Sequence, residues 1–157
     1  MNETLTIRAA DVGDEAAIAR LLTQLNHSEG HAIESSPEAL AHGLFSETRE
    51  VHLSALVAIR QGSVIGALLY YPGYDTLSAS VGHHLADMVV DVAHRRMGVG
   101  KALVQALARH TLEQNKSWVS LTALKENAHA QAFYTSLGMT RVNVDFFAIG
   151  KTGLAQM

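Results

Sequence analysis

The sequence predicts an α/β domain with a mixed sheet, and three observations carry that prediction. Several short runs alternate apolar with polar residues, as half-buried strands do, while other stretches repeat their apolar residues at helical spacing. The elements follow in the order strand, two helices, three strands, helix, strand, helix, strand, a mixed pattern. An apolar run, Met88 to Val92, passes through a turn holding Gly98 and Gly100 into a further helical pattern.

Leu5, Ile7 and Ala9 alternate with Thr4, Thr6 and Arg8 and predict the first strand. Asp11 is the expected N-cap of the first helix, with Asp14 three residues on and Ile18, Leu21, Leu22 and Leu25 along one face. Pro37 suits the first turn of a second helix reaching about Ser46, with Leu40 and Leu44 on one side. Leu53 to Ile59 and Val64 to Tyr71 read as a hairpin across Arg60-Gln61-Gly62-Ser63. Pro72-Gly73 is expected to end the second strand, with a loop over 73–82 leading into a strand from Leu85 to Val92. Val99, Leu103, Ala106 and Leu107 give the third helix its buried face, and Trp118 to Thr122 forms the next strand. Asn127 caps a fourth helix that Gly138 stops in the left-handed conformation, and Val142 to Ile149 is the expected final strand.

Length and composition set the class. With 157 residues the chain suits one domain over 1–150, followed by a loose tail over 151–157. Apolar residues make up 48%, yet no uninterrupted run reaches the roughly 18 needed for a membrane span. The start, Met1-Asn2-Glu3-Thr4, lacks a basic region followed by an apolar one, so a cytoplasmic protein without a membrane partner is expected. The absence of cysteine rules out disulfides, a thiolate nucleophile and a zinc-thiolate site. A net charge of −3 without a basic run argues against nucleic acid and favours small or cationic partners. His27 and His31 stand four apart, but Gly30 lies between them and no His-Glu-x-x-His is present, so no metal is expected.

The turn Arg95-Arg96-Met97-Gly98-Val99-Gly100-Lys101 is the first chemical signal. Glycines there allow backbone angles and close approaches that a Cβ forbids, and the helix that follows aims free N–H groups at the turn. Such a turn is built to receive phosphate. About thirty residues later comes Asn127-Ala128-His129-Ala130-Gln131-Ala132-Phe133-Tyr134-Thr135-Ser136-Leu137-Gly138-Met139. Together the two segments resemble the GNAT family of acetyl-CoA-dependent N-acetyltransferases. The resemblance implies a central mixed sheet of about six to seven strands flanked by four helices, acetyl-CoA as cosubstrate, and often a homodimer.

Acyl transfer from a thioester to an amine poses two proton problems. An alkylammonium with a pKa of about 10.4 is under roughly 0.1% free base at pH 7, so a base must take its proton. The departing thiolate, with a thiol pKa of about 8.5, gains from a proton donor. By the resemblance that donor is Tyr134; the plain alternative is packing beside Phe133. The resemblance also makes Met88-Val89-Val90 the strand whose backbone holds pantetheine and polarises the carbonyl. The backbone of Arg95 to Lys101 then surrounds the pyrophosphate, and Asn127, Phe133 and Tyr134 complete the coenzyme site. Arg96 stands where the family often has a glycine, and adds a charge that phosphate can use.

Gly66 to Asp75 and Leu85-Ala86-Asp87-Met88-Val89-Val90 are similar to segments of the family's diamine N-acetyltransferase branch. The glutamate that branch uses for amine binding and proton removal is Ala86 here. Glu29, Asp75 and Asp87 are the acidic candidates for holding a cationic acceptor. His83-His84 lie just ahead of the central strand, near where the acceptor should meet the thioester, and an imidazole titrates near neutrality; His84 or Asp87 is the candidate base. The expectation is an N-acetyltransferase for a small primary amine, acting by direct attack. Acetylation of a protein or peptide amine and a catalytically idle acetyl-CoA-binding module are the two alternatives.

Overall fold

Two consecutive left-handed residues, Gln61 (φ 51°) and Gly62 (φ 75°), turn the chain back on itself between β2 (Ser54–Arg60) and β3 (Ser63–Asp75). That pair of positive φ angles matches the right-handed twist of the strands it joins and pins Arg60↔Ser63 and Ile59↔Val64; a register shift between Ala58 and Ile59 precedes the pairing from Ala58↔Gly66 to Ser54↔Tyr70. The computed structural model describes residues 4–157; Met1, Asn2 and Glu3, read above for the lack of a leader, lie outside the described residues. The chain divides into two compact units, one ending at Thr122 and one over Ala123–Met157.

The first unit holds a five-stranded sheet in the order β1-β2-β3-β4-β5, with β1 at Thr6–Ala9, β4 at Ser80–Val90 and β5 at Val119–Leu121. The first three pairings are antiparallel; β4 and β5 are parallel, joined through α3 (Val99–Glu113). This is the mixed sheet that the element order predicts.

Helices α1 (Glu15–Ser28) and α2 (Pro37–Phe45) cover one face, where Ile18, Leu21, Leu22 and Leu44 pack with Ala55, Val57, Ala67, Leu69 and Val89. The other face receives α3. A Cβ on Gly66 would lie 3.2 Å from Val99 and 3.4 Å from Leu103, so that strand position stays bare for the helix to seat. Ser36 caps α2 by accepting the Ala39 N–H at 3.1 Å, and Pro37 opens it. The cap of α1 differs from expectation. Asp14, not Asp11, is its N-cap residue, and the Asp14 carboxylate turns back to Arg8 at 2.6 and 3.1 Å and to the Asp11 N–H at 2.8 Å.

The expected loop over 73–82 is instead the far end of a long hairpin, in which Gly73 pairs with Gly82 and Asp75 with Ser80. Beyond Tyr70, β3 has no β2 partner, and a free edge tolerates Pro72. The two glycines face the Trp118 indole: a Cβ on Gly73 would sit 2.8 Å from it, and one on Gly82 would collide with both ring and backbone of Trp118. The glycine pair is a bed for the indole, whose Nε1 donates to Ser80 at 3.2 Å.

In the second unit, Asn127 accepts the Ala130 N–H at 3.0 Å to cap α4 (Ala128–Ser136). Gly138 (φ 87°) ends it, with the Met139 N–H on the Tyr134 carbonyl at 3.2 Å and the Gly138 N–H on that of Thr135 at 3.0 Å. Residues 142–149 form no strand among the described residues, so the sheet has five strands against the expected six to seven. Alternation records only that a segment could pair, and Phe146-Phe147 breaks it. The segment expected as a loose tail contains a helical turn, α5 (Lys151–Leu154), with Ile149 packed over Gly153. With α5 the α-helices among the described residues number five rather than four.

Candidate active site

Strand β4 does not run straight. Its register against β3 goes from Leu69↔Asp87 to Tyr70↔Leu85, so Ala86 is an extra residue, a β-bulge. In a regular strand His84 and Asp87, three apart, would point to opposite faces. The bulge removes that offset. Asp87 lies across from Leu69, and His84 across from Tyr71, two residues further along the same strand, so both occupy the face covered by α1 and α2. The His84 and Tyr71 rings lie 5.1 Å apart.

Partial desolvation acts on both groups, half-buried His84 and the more exposed Asp87, toward the uncharged form. Desolvation lowers the His84 pKa below 6.5 and raises that of Asp87 above 3.8. The His84 Nδ1 is 3.0 Å from the Ser120 hydroxyl, which fixes the ring. Neutral imidazole at pH 7 is the form that accepts a proton.

The bulge also ends a ladder. β4 pairs with β5 only at His83↔Val119, His84↔Ser120 and Leu85↔Leu121, so among the described residues no strand pairs with 86–90 on that side. Backbone groups turned that way are open to a ligand. Met88 and Val90 are half-buried and Val89 is in the core. The Val90 carbonyl is already held by Arg95 Nε at 3.1 Å.

Beyond β4, Asp91 anchors the turn. Its N–H donates to the Ile65 carbonyl at 2.8 Å, while its carboxylate accepts from Ala93 N–H at 3.0 Å and from Arg20 of α1 at 3.1 Å. Those bonds, the Ala93 N–H foremost, hold its pKa below the ordinary carboxylate value. A short 3-10 turn over Val92–His94 follows, then Arg96 with φ 60° and Gly98 with φ 80°. Gly98 is the N-cap of α3 and offers no side-chain cap, and the first intrahelical bond is Ala102 N–H to Gly98 carbonyl at 3.0 Å. The N–H groups of Val99, Gly100 and Lys101 precede that bond and have no helical acceptor, so they suit a pyrophosphate. Arg95, Arg96, Met97 and Lys101 are exposed around them.

The remaining sequence-derived residues are spread more widely. Asp75 is taken up by its own turn, accepting from the Ser78 hydroxyl and from the N–H groups of Leu77 and Ser78, which lower its pKa, the hydroxyl foremost. Its β4 partner, Ser80, lies six residues, roughly 20 Å, from the bulge along that strand. Glu29 is the C-cap of α1 and exposed. Asn127, Phe133 and Tyr134 belong to the second unit, where the Phe133 and Tyr134 rings meet edge to face at 5.1 Å.

One feature had no signal in the sequence. A cavity of about 540 Å³ lies in the first unit, walled by His42 and Gly43 of α2 and by Thr48, Arg49, Glu50, Val51 and Leu53 of the following connection; Tyr71 and the bulge residue Ala86 complete it.

The acetyltransferase (GNAT) family model matches residues 18–139. The chain belongs to the GNAT family. It is an acetyl-CoA-dependent N-acetyltransferase, as the glycine turn and helix α4 imply. The thialysine N-epsilon-acetyltransferase of Bos taurus is 31% identical over 140 residues, 84% of this chain and 82% of that one. Among solved structures, an integron cassette protein from the mobile metagenome of V. cholerae aligns with a TM-score of 0.81 at 22% identity, covering 97% of this chain and 96% of that one. An aminoglycoside acetyltransferase from an uncultured soil metagenomic sample aligns with a TM-score of 0.76 at 23% identity, covering 94% and 97%. No helix among the described residues of this GNAT protein is long and apolar enough to cross a membrane.

Proposed function

We propose that this GNAT enzyme acetylates a primary amine on a small molecule, by direct attack of the amine on the thioester. The observation that carries the reading is the 540 Å³ cavity with Ala86 of the bulge in its wall. Its volume is that of a small-molecule site, and it reaches the strand segment left unpaired for the coenzyme. The action of its Bos taurus relative on thialysine, a small amine, agrees with this.

Acetyl-CoA supplies the activated acetyl group. The open N–H groups of Val99, Gly100 and Lys101 hold the pyrophosphate, with Arg96 as a counter-charge, and the unpaired backbone of 86–90 lines the pantetheine path. His84, neutral at pH 7, takes a proton from the alkylammonium directly or through water, with Asp87 beside it on the same face. The amine nitrogen bonds to the acetyl carbon, the carbon–sulfur bond breaks, Tyr134 gives its proton to the thiolate, and the second proton that the nitrogen sheds on becoming an amide restores the phenol through solvent. Amide, free coenzyme A and one released proton are the products.

Coenzyme A release measured across a library of amines tests the reading; acetyl-CoA binding without turnover of any small amine would sink it. Tyr134→Phe should lower kcat by about a hundredfold, the scale of one general acid, with the KM for acetyl-CoA nearly unchanged. Full turnover in that variant would remove Tyr134 from the role. By family resemblance the enzyme is also taken as a cytoplasmic homodimer, and a sedimentation mass of one chain would contradict the dimer.

A further inference from the structure

Arg49 and Arg60 are the two half-buried arginines whose Nε is shielded without a partner, and of the two only Arg49 lines the cavity. Arg8 holds Asp14 and Arg20 holds Asp91, but Arg49 has no carboxylate within ion-pair distance among the described residues. It is nonetheless half-buried, and its Nε is shielded from solvent without a hydrogen-bond partner. Removing a guanidinium from water without a counter-ion is unfavourable, so such groups are ordinarily paired.

The side chain is also held in place. Its Nη1 donates to the Ser46 carbonyl at 2.5 Å, and its own backbone N–H reaches the same oxygen at 3.4 Å. The Ser46 hydroxyl accepts the Thr48 N–H at 3.2 Å and lies 3.0 Å from the Thr48 hydroxyl, so the connection is folded tightly around Ser46, the C-cap of α2. Arg49 is thereby a cation fixed in the wall of the cavity, with Glu50 in the same wall and Ala86 of the bulge completing it.

We propose that Arg49 binds a carboxylate on the acceptor, so that the preferred acceptor is an amino acid bearing a second amine rather than a bare diamine. The planar fork of a guanidinium matches a carboxylate at two points, which an ammonium could not do. A bare diamine brings two positive charges toward Arg49, with Glu50 as the single carboxylate in the cavity wall; an acceptor carrying its own carboxylate removes that repulsion. Glu50 then faces the ammonium end. The carboxylate takes no part in the acyl transfer and serves only to orient the amine.

This inference rests on the small-amine reading, and the test separates the two. Acetylation of L-lysine and L-ornithine is compared with that of cadaverine and putrescine, which lack the carboxylate. The wild-type enzyme should favour the amino acids at least about tenfold in kcat/KM. Arg49→Gln should bring that ratio near one, chiefly by raising the KM for the amino acid, and Arg49→Lys should restore part of it; a thermal melt checks that both variants fold. Diamines used as well as amino acids by the wild-type enzyme, or an unchanged ratio in Arg49→Gln, would overturn the carboxylate assignment while the small-amine reading stands. If neither class is acetylated but other small amines are, the assignment alone falls; if no small amine is acetylated, both fall.

Discussion

Arg96 shows how one residue can serve two ends at once. Its φ of 60° is a left-handed conformation that costs a side-chain-bearing residue roughly 1–2 kcal/mol, and glycine nothing. Arg96→Gly should therefore stabilise the protein by up to about 1 kcal/mol, once the extra freedom of glycine in the unfolded chain is subtracted. A thermal melt should rise by about 2–4 °C, with Arg96→Ala giving no such gain. Calorimetry should show weaker acetyl-CoA binding in the glycine variant, since the guanidinium is lost; a lower melting temperature would refute the strain argument. The arginine was plain in the sequence as a departure from a glycine, but its backbone angle was not. Asp75 makes the converse point: a carboxylate in a promising segment is engaged by its own turn, as only the hydrogen bonds reveal.

At the level of elements, the long β3–β4 hairpin carries most of the difference between expectation and structure. Pro72 and the glycines marked a loop by their ordinary preferences, yet Gly73 and Gly82 are paired because the Trp118 indole occupies the space of their missing side chains. Gly73→Ala should cost about 1–3 kcal/mol through overpacking against that ring. In a Trp118→Ala background the same change should cost far less, and a double-mutant cycle by chemical denaturation measures the coupling. Additive effects would mean that the indole is not what keeps Gly73 bare. The elements that did follow from sequence are those with a local cause: Ser36 and Pro37 at α2, Asn127 and Gly138 around α4, and Gln61-Gly62 between β2 and β3. The bulge at Ala86 has no such local mark, since strand residues flank it on both sides.

Across the whole molecule, pH should tune stability through buried histidine. His83 is 2% exposed, bonded through Nδ1 to the Thr111 hydroxyl at 2.9 Å and packed against the Tyr70 and His110 rings. Burial first, then the charges of Lys116 and His110, push its pKa down to about 4. The unfolded chain takes up a proton near pH 6.5 that the folded one refuses, so stability should fall as pH drops from about 6.5 to 4 and then level off. The loss through this group is on the order of 3 kcal/mol. His84, also lowered, acts in the same sense, whereas Asp87, raised, contributes a loss as pH climbs above 3.8 through its folded value. Denaturant titrations at several pH values check the slope, and His83→Gln should flatten it. By itself the sequence determined the mixed α/β class and the glycine turn that opens α3, because periodicity, caps and left-handed glycines act within a few residues of one another, while the family rested on the resemblance of two motifs. Tertiary structure alone decided that His84 and Asp87 share a face, that Trp118 lies on two glycines, and that Arg49 lines a cavity. Each of those depends on which strand or loop lies opposite, a relation between residues far apart in the chain that no short window of sequence records.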